Sequence, residues 1–349
     1  MKSLNVLLIN PKNGYLQDML DWMKSNTPHV SIDTMIFKQL FSAAILSKLQ
    51  LLMQVPYTLL QAARLVLFPS QYGVILLNGN LIAPPILLLR RLFGMNLRKT
   101  KIIVMHFFLN DIRNYALVKS LVRFLFDQHD VTMIALSKGD QEHYAGLFKR
   151  TKVVYYPLCF YDSPDTKDEL VKNEEEGAYV FAGGWTNRDY ESLMSAARRV
   201  SIPFLVVCSD KNVLPAIPEN IKVVRDVPNA VFNQYVRDSR FVVVPLKENV
   251  GAAGQMVALT AMMYGKAVIY TDLPCISDYL EDLRSGLAYR PGNDAELAEK
   301  IQLLIDDPSL AKTLGKAAAE RFDSLFRPEK FYIFLTDIIS NCCSNSIET

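Results

Sequence analysis

The chain has little of what marks several common functional classes. Its 349 residues hold five cysteines, Cys159, Cys208, Cys275, Cys342 and Cys343, and none sits in the paired spacing of a metal site. The opening run MKSLNVLLINPK reads as a first strand and not as a leader peptide, so a cytoplasmic chain is expected and a disulfide-stapled one is not. Between Lys38 and Phe68 no eighteen-residue window is free of charge, which argues against a spanning helix there. RNP-type, helix-turn-helix and zinc-finger patterns are missing, so no nucleic-acid partner is expected. Short-period repeats and low-complexity tracts are missing too.

What is present is an uneven charge. Residues 1–155 carry 18 Lys and Arg against 8 Asp and Glu, and the remainder carries 20 against 28. A basic half (+10) and an acidic half (−8) thus lie behind the net charge of +2. The basic half suits an anionic membrane surface. From Lys38 to Phe68 the sequence is rich in Leu, Ala and Gln, broken by Lys48 and Arg64 and split by Pro56 into two amphipathic helices. Such helices fit a membrane interface or the face of a sheet, and the charge asymmetry favours the membrane. A second basic and apolar stretch, 81–101, holds a helix Leu81–Phe93 with Arg90 and Arg91, followed by Arg98, Lys99 and Lys101. It reads as lipid-facing or as a solvated basic face.

Half of the residues are apolar, enough for two cores. Short apolar runs without alternation, as in parallel strands covered on both faces, recur between helical stretches in two successive blocks. The polar, acidic run YDSPDTKDELVKNEEEG (161–177) separates the blocks as a linker. The expected fold class is α/β, with two doubly wound Rossmann-like domains, 1–160 and 178–325, and an interdomain cleft. Residues 326–349 form a C-terminal helix and tail, a candidate to pack back on the first domain.

The most informative stretch is Phe241–Asp272. It reads as a strand Phe241–Pro245, a turn with Gly251 and Gly254, a helix Gln255–Tyr264 stopped by Gly265, and a strand Lys266–Tyr270. Glycines that allow close backbone approach, next to the free N–H groups of a helix start, suit a diphosphate. An ordinary strand–helix–strand unit fits the pattern equally well. His106 comes one residue after the strand Lys101–Met105, where parallel sheets place ligands, and a structural histidine is the alternative. Asp111 and Arg113 are weaker candidates, the acid being also a helix cap.

These segments resemble the GT-B glycosyltransferases, most closely the retaining family-four-like enzymes of bacterial polysaccharide assembly, over roughly residues 178–325. GGWTNRDYESLMSAA is similar to the first turn of that family's C-terminal domain, and PLKENVGAAGQMVALTAMMYGKAVIYTD to its donor-binding loop and helix. GLAYRPGNDAELAEKIQLLIDDPSLAKTLGKAAAERF resembles the characteristic tail. The resemblance implies a nucleotide-sugar donor held by the C-terminal domain and a lipid-linked or growing glycan acceptor held by the N-terminal one, with no metal or other cofactor.

Catalytic roles are implied for His106 and Arg188. Donor contacts are implied for Gly183, Gly184, Asn187, Lys247, Asn249, Gly251, Gly254, Gln255 and Thr260. An ion pair with Asp189 is the structural alternative for Arg188, and solvent exposure that for Lys247. The chain also departs from the pattern. Ala252 and Thr260 stand where the family usually keeps two glutamates, and Gly184 where it keeps a basic residue. Gln255 and Thr260 are candidates for replacement hydrogen bonds. The missing carboxylates leave an alternative: a catalytically inactive, glycosyltransferase-like subunit that serves a partner transferase.

Overall fold

The structure, a computed structural model, describes residues 4–11, 15–37, 48–67, 72–78, 82–93, 100–105, 116–159, 177–248 and 253–344. His106, Asp111, Arg113, Asn249, Gly251, Ala252 and the linker up to Glu176 lie outside these residues. Two compact units form, one from Met1–Tyr156 together with Pro328–Thr349, the other from Pro157–Arg327.

The first unit alternates β1 (Leu4–Pro11), α1 (Tyr15–Asn26), β2 (Val30–Phe37), α2 (Lys48–Leu67), β3 (Val74–Asn78), α3 (Ala83–Phe93), β4 (Lys101–Met105), α4 (Ala116–Phe126), β5 (Val131–Ala135), α5 (Lys138–Leu147) and β6 (Lys152–Tyr155). Its strands pair in parallel in the order β2-β1-β3-β4-β5-β6. Every residue of β3 is buried and β4 is buried after Lys101, which is why VILLN and KIIVM show no polar alternation.

Pro56 does not divide α2. One helix of 20 residues runs through it. An interior proline removes a helix hydrogen bond and costs about 3 kcal/mol. The turns that follow it hold the helix in place, since Thr58, Ala62 and Leu65, at i, i+4 and i+7, are buried, the last two in the core beside Leu7, Ile9 and Ile75. This face of α2 therefore packs on protein, although Met53 and Leu60 remain exposed. Among the described residues no helix is long and apolar enough to cross a membrane.

The second unit continues with β7 (Val180–Gly183), α6 (Tyr190–Ala197), β8 (Phe204–Cys208), β9 (Ile221–Arg225), α7 (Asn229–Asp238), β10 (Phe241–Val244), α8 (Gln255–Met263), β11 (Val268–Thr271), α9 (Pro274–Ser277), β12 (Leu287–Tyr289), α10 (Asp294–Asp306) and α11 (Pro308–Leu325). Its parallel sheet runs β12-β11-β10-β7-β8-β9. The chain starts in the middle with β7, adds strands on one side, then returns to add β10 on the other. The strand order therefore reverses between β7 and β10, and the crevice at the carboxyl ends of those two strands is where such sheets bind ligands.

The strand expected from Lys266 begins two residues later. Lys266 N–H donates to Ala261 O (2.9 Å) and Gly265 N–H to Met262 O (3.0 Å), a Schellman ending for α8 that takes the Lys266 N–H out of the sheet ladder. The remaining helix, α12 (Pro328–Ser344), belongs to the first unit. There Tyr332 packs on Trp22 of α1, and Phe334 stacks on Tyr156 with centroids 4.0 Å apart.

Gly315 of α11 lies directly against the backbone of Gly265, with no room for a methyl group between them. Gly315→Ala is expected to push α11 off α8 and lower stability by about 1–3 kcal/mol. Gly146→Ala, which meets nothing within 4 Å, is expected to be neutral or to stabilise by about 0.5–1 kcal/mol. Denaturant unfolding of the two variants side by side checks the difference.

Candidate functional site

The crevice between β7 and β10 is walled by the two chain segments that leave those strands. Gly183 ends β7, and Gly184, Trp185, Thr186, Asn187 and Arg188 follow it; after β10 come Pro245, Leu246, Lys247 and Glu248. A short antiparallel bridge joins them at Arg188 and Leu246. Lys247 N–H donates to Asn187 O (3.1 Å), the Asn187 side-chain amide donates back to Lys247 O (3.0 Å), and Asp189 N–H donates to Pro245 O (3.0 Å). Asn187 takes a left-handed conformation (φ 56°) to make this clasp. Its side chain is thus committed to protein, while the side chain of Lys247 projects into solvent.

Arg188 is buried under the clasp. Its Nε donates to Gly183 O (2.8 Å) and its Nη1 to Thr186 O (2.7 Å), so the guanidinium closes the turn that carries it. A Cβ on Gly184 would fall on the guanidinium, and at φ 113° a side chain is disfavoured there in any case. The ion pair with Asp189, the structural alternative for Arg188, does not form. Asp189 instead caps α6, accepting from Ser192 N–H (3.1 Å) and Ser192 Oγ (2.6 Å). Among the described residues Arg188 makes no salt bridge. Burial pushes its pKa down, opposed by the neighbouring Tyr190 and Cys275 side chains. The Tyr190 hydroxyl donates to Gly184 O, and burial raises its pKa, so it stays a neutral donor.

Gly183 and Gly184 do not open a helix. In the structure α6 begins only at Tyr190 and its first turn is capped by Asp189; Gly184 N–H is used by Val207 O (2.9 Å). This turn therefore supplies a cation and not a helix terminus. The helix terminus comes from α8. Its N-cap is Gly254, with φ 84° and no side chain to cap the first turn. A Cβ there would meet Val244 Cγ1 at 2.8 Å and Leu246 Cδ1 at 3.2 Å, so glycine is required both for the conformation and for the close fit on β10. An uncapped helix start offers N–H groups and about half a positive charge to an anion.

Leu246 links the two features, its backbone paired with Arg188 and its side chain lying against Gly254. Gln255, the first residue of α8, is buried and its amide donates to Cys275 O (2.9 Å) at the start of α9. Thr260 is buried in the middle of α8 and donates to Met256 O (2.8 Å), so its donor is used within the helix. The structure thus brings together Gly183, Gly184, Asn187, Arg188, Lys247, Gly254 and Gln255, and leaves Thr260 three residues short of the end of α8, facing protein.

Two supporting residues escaped the sequence reading. The fully buried Thr271 hydroxyl accepts from Leu246 N–H (2.8 Å) and donates to the Tyr289 hydroxyl (2.9 Å), fixing the segment after β10. Asn212 donates to Trp185 O (3.0 Å) and leaves the Trp185 ring exposed beside Gly184. The position of Thr271 at the carboxyl end of a strand was the available signal for the first, and an aromatic residue in a glycine turn for the second.

Residues 176–307 match the family model described as Glycosyl transferases group 1. No curated protein sequence matches the chain. Among solved structures, a sucrose-phosphate synthase from Thermosynechococcus elongatus is 16% identical with a TM-score of 0.74, over 98% of this chain and 100% of that one. Anabaena HepE, solved in complex with UDP-glucose, is 14% identical with a TM-score of 0.64, over 98% and 100%. The alpha,alpha-trehalose 6-phosphate synthase of Burkholderia multivorans is 10% identical with a TM-score of 0.68, over 99% and 98%. The fold is that of the GT-B glycosyltransferases. The group 1 match lies wholly within the second unit.

If the α8 terminus and Arg188 form an anion seat, inorganic pyrophosphate should raise the melting temperature of the protein in proportion to the logarithm of its concentration. Gly254→Ala, which re-angles the first turn of α8, is expected to lose that rise. Thr260→Val is expected to keep it.

Proposed function

We propose that the protein is a glycosyltransferase that moves a sugar from a nucleotide-sugar donor to a lipid-linked or growing glycan acceptor at the cytoplasmic face of a membrane, with retention of configuration. One observation carries the reading: the buried guanidinium of Arg188 makes no salt bridge among the described residues and shares the crevice with the uncapped start of α8. Two positive potentials converge there.

A departing nucleoside diphosphate supplies that negative charge. In glycosyl transfer the bond between the anomeric carbon and the diphosphate oxygen breaks, and charge accumulates on the leaving phosphate as it does. Donors already fixed toward that phosphate stabilise the transition state more than the ground state. Arg188 is held by Gly183 O and Thr186 O, and the α8 N–H groups by the fit of Gly254 on β10, so neither has to reorganise as the charge develops. HepE, of similar fold, is solved with UDP-glucose, which supports a nucleotide-sugar donor for this chain.

In sequence, His106 directly follows Met105, the last residue of β4. We assign it to the acceptor side, in contact with the sugar. Asn249 and Gly251, in the loop between β10 and α8, complete the proposed donor contacts.

Release of nucleotide from a panel of nucleotide-sugars, with and without glycan and lipid-linked acceptors, tests the assignment. Arg188→Lys keeps the charge but loses the two-point hold on the turn, and is expected to lower turnover by about 10²–10³-fold. His106→Ala is expected to lower it as well while leaving donor binding intact. Donor binding without nucleotide release under every condition would instead identify a non-catalytic subunit. Unchanged turnover in both variants would remove the site assignment.

A further inference from the structure

We infer that the face formed by α3 and α4 in the first unit is a docking surface for an anionic lipid membrane. On α4, Leu117, Leu121 and Phe124 recur at i, i+4 and i+7 and all are exposed, Leu117 to 87%. The opposite stripe, Val122 and Phe126, is buried in the core. A helix at the surface of a globular unit ordinarily turns polar residues to water, and here the outward stripe is apolar. Leu92 and Phe93, at the end of α3, are exposed as well, Phe93 to 64%.

The charge carried by the two helices has one sign. Neither α3 (APPILLLRRLF) nor α4 (ALVKSLVRFLF) contains an acidic residue. At the carboxyl end of α4, a shallow cavity of ≈ 350 Å³ is lined by Arg91, Arg123, Phe124, Asp127, Lys149 and Arg150. Its single carboxylate already has partners: Asp127 Oδ1 accepts from the backbone N–H groups of Lys149 (2.9 Å), Arg150 (2.6 Å) and Thr151 (3.3 Å). Burial pushes the Asp127 carboxyl up, but those three donors and Arg123 outweigh it and hold the group below the usual carboxylate range. None of the four cations makes a salt bridge among the described residues. Arg91 is fixed in place, donating to Phe124 O (2.7 Å) with its guanidinium 4.4 Å from the centre of the Phe124 ring.

Cations beside an exposed apolar stripe match the two layers of a bilayer surface. The leucines and phenylalanines reach the acyl boundary while the arginines and lysine meet phosphate headgroups. The direction of α4 gives the surface a use. The helix starts on the side of the carboxyl edge of β4 and ends at the amino edge of β5, so a membrane along its length passes the edge from which His106 follows. This deepens the membrane-facing part of the proposed function. It also moves that contact away from α2, part of whose surface packs on the core.

The test is flotation of the full chain with phosphatidylcholine vesicles, with and without 30 mol% phosphatidylglycerol (about a third, enough for a strongly negative surface). The protein is expected to float with the anionic vesicles at low salt and to be released as salt rises. Leu117→Ser with Leu121→Ser, and separately Arg123→Glu with Arg150→Glu, are each expected to lower the partition coefficient at least about ten-fold. All four are surface substitutions, and an unchanged unfolding midpoint confirms that the variants fold. Wild-type binding to neither vesicle type overturns the proposal, as does binding that both double variants retain, and so does concentration-dependent self-association through this face without lipid binding. Because the readout is lipid binding alone, it stands or fails independently of any sugar transfer.

Discussion

A buried guanidinium that holds two backbone carbonyls and, among the described residues, no carboxylate is the constraint around which the second unit's crevice is arranged. Removing a cation from water costs several kcal/mol, and two neutral acceptors offset only part of that. The surrounding residues follow from it. Gly184 can carry no side chain because the guanidinium occupies the space, Tyr190 takes up the Gly184 carbonyl, and Asp189, the nearest acid in sequence, is turned away to cap α6. The turn is then stitched to the segment after β10 through Asn187, Lys247 and Leu246, which in turn seats Gly254 and the start of α8. The unpaired charge and the helix terminus are therefore one construction, each positioned by the other's supports.

Much of this was legible in the sequence, and what was not has identifiable causes. VFAG, FLVVC, FVVV and VIYT read as buried parallel strands because continuous apolar runs have few other uses between helices, and Gly265 read as a helix stop. The boundary of β11 was misplaced because a Schellman ending consumes Lys266 N–H, and nothing in the residue types announces that. Pro56 was read as a break because local propensity says so; tertiary burial of Thr58, Ala62 and Leu65 decided otherwise. At the site, residue types singled out Gly183, Arg188 and Gly254, which the structure sets along the crevice between β7 and β10. They could not show whether Asp189 would face Arg188 or Ser192, since both arrangements satisfy a carboxylate locally.

The uneven charge seen in the sequence also acquires a physical meaning. In the second unit the acids are engaged within the unit: Asp189 and Asp307 cap helices, and Asp294, Glu296 and Glu281 pair with Arg199, Arg290 and Arg321. In the first, Asp127 is taken up by a backbone turn, and Arg91, Arg123, Lys149 and Arg150 make no salt bridge among the described residues. The second unit thus buries Arg188, whereas in the first Arg91, Arg123, Lys149 and Arg150 line a cavity at the surface. The same count of residues would say nothing about function if the acids and bases of each half were merely interspersed.

The missing glutamate at position 260 follows the same logic. α8 is buried on nearly all sides, with Val257, Ala258, Leu259, Ala261 and Met262 packed in the core around Thr260. A carboxylate there would need a permanent partner or a bound ligand to offset its burial. A threonine needs neither, because its hydroxyl donates to Met256 O one turn back. Position 260 is therefore a packing position in this chain, and α8 can stay folded and close-packed whether the crevice is empty or filled. For the proposed donor, recognition would then fall on Arg188 and on backbone N–H groups, which bind phosphate strongly and distinguish sugars poorly. Discrimination among sugars would have to come from other side chains.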